Sequence, residues 1–135
     1  MVKQVLFLCP HNAAKSVMAG AYFNERVGDS GAEARAFSAG TEPDEEVSPH
    51  VVTLLDGEGY GNLTHKPRKV SQVDIENADQ IVSVGCVVSA LPSTAQNTAQ
   101  NIVQWDDISP PSQDLHGAWR QLKERVDRLI EQMYP

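Results

Sequence analysis

The chain has 135 residues, with 18 acidic against 11 basic side chains and a formal net charge of −7 at pH 7. That length suits one compact domain spanning residues 1–135, with a hydrophobic core of its own. The acidic balance argues against nucleic acid as a partner, which calls for a basic face, and no run approaches the roughly 20 apolar residues of a membrane span.

The first element, "KQVLFLC" (3–9), is short, apolar and without alternation, the pattern of a strand buried on both faces of a parallel sheet. Beyond "PHNAAKS" (10–16), Ala19, Tyr22, Phe23 and Val27 recur at helical spacing, and "GDSG" (28–31) closes that helix. "ARAFSAG" (34–40) reads as a second strand. "SPHVVTLL" (48–55) reads as a helix with Ser48 as N-cap and Pro49 at its first position, closed at Gly57 and Gly59. "SQVD" (71–74) has the form of a capping box and predicts a short helix to about Ala78. "QIVSVG" (80–85) is a third strand. Residues 87–101, with a tandem "TAQN", hold little that is bulky and predict a long polar loop. "NIVQW" (101–105) is a fourth strand, and Leu115, Trp119, Leu122, Val126, Leu129 and Met133 mark a final amphipathic helix.

Strands alternating with helices predict an α/β fold, a four-stranded parallel sheet with helices on both faces. Ligands of such sheets sit beyond the carboxyl ends of the strands. Cys9 falls at that end of the first strand, Cys86 at that of the third, and Asp106 and Asp107 just past the fourth. Three chemically useful positions therefore converge on one edge.

The loop after Cys9 has its own chemistry. Residues 10–15 adjoin a helix N-terminus, where successive backbone N–H groups form an anion-binding nest. The same dipoles favour thiolate over thiol at Cys9. Ala13 and Ala14 keep the cradle open, Asn12 bridges it, Ser16 caps the helix and donates to the Cys9 sulfur, and Lys15 sets a positive charge at the anion. A buried cysteine at a strand end, followed by an ordinary capped helix, is the plainer reading of the same residues.

The run "VLFL" is too short for a secretory leader and no small-residue cleavage pattern follows it, so the expected compartment is the cytoplasm. Cys9 and Cys86 are then expected as free thiols. With His11, His50, His65 and His116 scattered, no metal site is expected.

"VLFLCPHNAAKSVMA" (5–19) resembles the low-molecular-weight protein tyrosine phosphatase superfamily, whose loop reads C-x(5)-R-[ST] after a strand, and His11–Asn12 looks most like its arsenate reductase branch. "FSAGTEP" (37–43), "SPHVV" (48–52), "THKPRKV" (64–70), "ADQIVSVGC" (78–86) and "QWDDISPP" (104–111) resemble family segments in the same order. The resemblance implies a nucleophilic Cys9, an oxyanion cradle of Pro10, His11, Asn12, Ala13, Ala14, Lys15 and Ser16, and a second thiol in Cys86. Two positions depart from the pattern. Lys15 replaces an arginine whose planar fork grips two oxygens, and Ser109 replaces the general-acid aspartate before a proline. Asp107 is expected either to stand in for that acid or, with Asp106, to be a solvated loop carboxylate.

These losses weigh unequally. Phosphoester hydrolysis needs the arginine and the acid, whereas by the route the resemblance implies arsenate reduction begins with Cys9 attack on arsenic and loss of hydroxide or water. A second thiol then releases arsenite. The resemblance implies no cofactor, only an external thiol or a thioredoxin-like donor to recycle a Cys9–Cys86 or mixed disulfide. An arsenate reductase-like enzyme is the leading expectation. A phosphatase and a non-catalytic oxyanion-binding or partner-binding homologue are the alternatives.

Overall fold

A computed structural model describes residues 2–61, 66–86 and 102–135. Four strands, β1 (Lys3–Leu8), β2 (Ala34–Ala39), β3 (Gln80–Ser83) and β4 (Ile102–Gln104), are joined by α1 (Lys15–Ser30), α2 (Pro49–Gly57), α3 (Gln72–Asn77) and, last in the chain, α4 (Leu115–Met133). Among the described residues the strands form one parallel sheet in the order β2-β1-β3-β4. Its register pairs Leu8 with both Ala39 and Ser83, and Ser83 with Gln104, so all four carboxyl ends finish in one row. The α/β architecture expected from the sequence is the one observed.

The lack of alternation in β1 follows from burial on both sides. Val5 and Phe7 face the larger core, with Val17, Met18 and Phe23 of α1 and Leu122 and Val126 of α4. Leu6 and Leu8 face a smaller cluster with Ile75, Ile81 and Ile102. The residues that predicted α1, Ala19, Tyr22, Phe23 and Val27, are all buried, and the helix ends where Gly31 takes a φ of 74°. Burial of such a stripe, more than propensity, stabilises helices of this length.

Boundaries shift by a few residues. Ser48 occupies the N-cap position of α2 with Pro49 first, but its side chain makes no capping bond. The capping box at Ser71 is complete: its hydroxyl accepts from Asp74 N while the Asp74 carboxylate accepts from Ser71 N. The third strand ends at Ser83 rather than Gly85, because Gly85 turns the chain with a φ of 85°. The expected polar loop over 87–101 lies outside the described residues, as do Thr64 and His65.

Candidate functional site

Cys9 follows the last residue of β1 and is 4% exposed. Its sulfur lies 2.9 Å from Ser16 Oγ and accepts from Ser16 N at 3.4 Å. Asn12, fully buried with a φ of 48°, donates from Nδ2 to the same Ser16 hydroxyl at 2.8 Å. The Ser16 hydroxyl thus bridges Asn12 and the Cys9 sulfur. The other end of Asn12 accepts from Arg68 N at 3.0 Å, which ties the loop to the 66–70 segment.

Ser16 does not cap the helix as the sequence suggested. It is the second residue of α1, the N-cap position falls to Ala14, and no side chain caps there. The N-cap position therefore supplies no acceptor to the first turn, and one N–H of that turn, Ser16 N, donates instead to the Cys9 sulfur.

The loop's peptide orientation follows from its outer hydrogen bonds. Pro10 O, His11 O and Ala13 O accept from Glu42 N at 2.8 Å, Asp44 N at 3.0 Å and Ser48 N at 2.9 Å. A planar trans peptide sets each N–H opposite the preceding carbonyl. The N–H groups of His11, Asn12 and Ala14 therefore turn away from the 42–48 segment, to the inner side of the loop. Amides of residues 11, 12 and 14 on one side of the loop have the arrangement of an anion-binding nest.

A cavity of about 370 Å³ opens over this loop, with Cys9, Pro10, His11, Ala13, Ala14 and Lys15 in its wall. Sequence reasoning missed the outer wall, formed by Asp44, Ser48, His50, Pro111, Ser112 and Leu115. Asp44 pairs with His11 Nδ1 at 3.5 Å, and the same nitrogen lies 3.1 Å from Glu42 O. The Lys15 ammonium reaches across to the next loop, 3.8 Å from where a Cβ would stand on Gly85.

Cys86 is buried in the smaller cluster, whereas Cys9 belongs to the larger one. Its N–H donates to Ser83 Oγ at 3.2 Å, and that hydroxyl lies 3.3 Å from Cys86 O. Burial, and secondarily the charge of Cys9, push the Cys86 thiol up to about 11. Both cysteines are free.

Asp107 does not line the cavity. Its exposed carboxylate binds Arg125 Nη2 at 2.5 Å, and that hydrogen bond holds it below the usual carboxylate range. A group so ionised has no proton to give near neutral pH. No residue of 104–110 lines the cavity, and the Ser109 amide donates to Gln121 Oε1 at 2.8 Å. Among the described residues no group of three or more His, Cys, Asp or Glu could hold a metal ion. Nor is any described helix long and apolar enough to cross a membrane.

The family described as low molecular weight phosphotyrosine protein phosphatase matches residues 4–129. The chain is 36% identical to an arsenate reductase of Archaeoglobus fulgidus, covering 94% of this chain and 98% of that one with a TM-score of 0.73. A low molecular weight protein tyrosine phosphatase of T. tengcongensis superposes with a TM-score of 0.80 at 23% identity, over 96% of this chain and 99% of that one. A thioredoxin-dependent arsenate reductase of Corynebacterium glutamicum gives a TM-score of 0.80 at 23% identity, over 97% of this chain and 61% of that one.

Proposed function

Because the chain belongs to the low molecular weight phosphotyrosine protein phosphatase family, we propose that it is a cysteine-dependent enzyme acting on a tetrahedral oxyanion, with arsenate as its substrate. The observation that carries the choice of arsenate is the segment after β4, which brings no proton donor to the cavity: Asp107 is bound to Arg125 and position 109 is a serine. Expulsion of an alcohol or phenol from a phosphoester calls for such a donor. Arsenate loses water built from its own oxygen and protons, and is less dependent on one. The 36% identity to an arsenate reductase supports the same reading.

In this reading the inward amides of His11, Asn12 and Ala14 and the Lys15 ammonium hold the anion over Cys9. The Cys9 sulfur bonds to arsenic, and water leaves. A thiolate then bonds to the Cys9 sulfur, the sulfur–arsenic bond breaks, and its electron pair stays on arsenic, which departs as arsenite. A further thiol reduces the Cys9 disulfide. The sum converts arsenate and two thiols into arsenite, water and one disulfide. No cofactor is required, and a small thiol or a thioredoxin-like protein supplies the electrons. Cys86 is protonated near neutral pH and does not line the cavity, so the resolving thiol comes from outside the chain.

A second reading, phosphoester hydrolysis, is favoured by Asp44, a carboxyl in the cavity wall. Parallel assays of arsenate-dependent thiol oxidation and aryl phosphate hydrolysis on one preparation separate the two. Arsenate turnover with little hydrolysis is expected; hydrolysis alone, lost in Asp44→Asn, would install the phosphatase reading instead.

A further inference from the structure

Gly40 follows β2 and sits where three backbone segments meet. Its N–H donates to Arg68 O and its carbonyl accepts from Val70 N, both at 2.9 Å, in a parallel bridge opposite Lys69. This pairing fixes Arg68, whose own N–H binds Asn12 Oδ1 at 3.0 Å. On its other side Gly40 presses against the nucleophile's loop. A Cβ added there would lie 2.6 Å from Pro10 O, 2.9 Å from Cys9 O and 3.0 Å from Asn12 Cβ. The φ of Gly40 is not positive, so space rather than conformation demands the glycine. Its two nearest neighbours are backbone oxygens, which cannot rotate away as the tip of a side chain can.

From Gly40 the chain runs on as a strap over the loop's outer side. Glu42 N, Asp44 N and Ser48 N each donate to a loop carbonyl, and those bonds set the inward direction of the amides. We infer that Gly40 is a positioning residue for the oxyanion cradle: its missing side chain lets the 40–48 strap close on the loop, which holds the amides inward before any anion arrives. The anion then meets donors already oriented and spends little binding free energy on ordering them. The claim rests on residues 10–16 being the oxyanion site. It does not depend on which oxyanion reacts there.

The test measures the affinity of inorganic phosphate by calorimetry at a temperature where every variant is fully folded, together with the alkylation rate of Cys9. Gly40→Ala forces the Pro10 and Cys9 carbonyls to shift and should weaken phosphate binding about tenfold, the scale of one hydrogen bond's net worth. Ser48→Pro removes one strap donor at a φ of −51° that proline adopts without strain, and should weaken binding by a similar or smaller factor. Gly20→Ala is the control, since a Cβ there meets only Ser38 Cβ at 4.0 Å; its affinity should match the parent's. If Gly40→Ala does not fold, Ser48→Pro decides, and phosphate affinity unchanged there overturns the inference. Unchanged affinity in a folded Gly40→Ala overturns it equally. A parent that binds no phosphate would instead remove the site assignment on which both this inference and the proposed function stand.

Discussion

Cys86 keeps its proton at a pH where an ordinary thiol has begun to lose it. Burial is the main cause and the charge of Cys9 the second. The folded chain therefore retains a proton that the unfolded chain releases first. Stability contributed by neutral Cys86 is fully present below the ordinary value of 9.0 and falls as pH rises toward about 11. Denaturant melts across that window should lose stability faster in the parent than in Cys86→Ala, and parallel slopes would contradict the assignment. In the native protein near neutral pH, iodoacetamide should modify Cys9 and spare Cys86, as peptide mass mapping can check. Asp107 yields the opposite expectation for catalysis. Because its carboxylate is committed to Arg125 in solvent, Asp107→Asn should leave turnover within about twofold of the parent, as is usual for an exposed group outside the chemistry. A loss of a hundredfold or more would return Asp107 to the role of acid.

At the scale of elements, the feature with most consequence is a missing cap. α3 satisfies its N-terminus with the Ser71–Asp74 box, and α4 with Asp114, whose Oδ1 accepts from Gly117 N at 3.0 Å. α1 has no side-chain cap. An oxyanion over the loop would supply the missing acceptor, so phosphate or arsenate should stabilise the fold by about 2.7 kcal/mol at one hundred times its dissociation constant. Thermal melts against anion concentration check this, and a melting temperature indifferent to millimolar oxyanion would contradict it. Ser71→Ala, by contrast, should cost about 1 kcal/mol whether or not anion is present.

The elements themselves were largely legible in the sequence, since each is written in local periodicity. The apolar run of β1, the stripe of α4 and the Ser-x-x-Asp box of α3 all depend on near neighbours. Errors arose where local pattern is mute. "QIVSVG" has apolar residues to Val84, but the left-handed Gly85 and the pairing with β4 end the strand at Ser83. Ser16 has the chemistry of a cap, yet its hydroxyl is taken by Asn12 and Cys9.

Across the whole molecule, the loop of the candidate site was readable because it is contiguous. Its outer wall was not, because Asp44 and His50 arrive from the strap and α2, while Ser112 and Leu115 arrive from the turn into α4. Asp107 was open to misreading for the same reason: Arg125, the partner that disarms it, stands on the far side of that turn. The shared row of strand ends brings these distant segments over Cys9, and the sheet's register, rather than any one motif, builds the cavity.

In the proposed reaction the Cys9 sulfur attacks the central atom of an oxyanion in this cavity. The most direct measurement is arsenite formed per pair of thiols oxidised, followed with a small-molecule thiol for the parent, Cys9→Ser and Cys86→Ser. One arsenite per thiol pair is expected in the parent and none above background in Cys9→Ser. Turnover is expected to persist in Cys86→Ser, because an external thiol reaches Cys9 through the open cavity. Arsenite formation in Cys9→Ser at the parent's rate would rule out Cys9 as the attacking group.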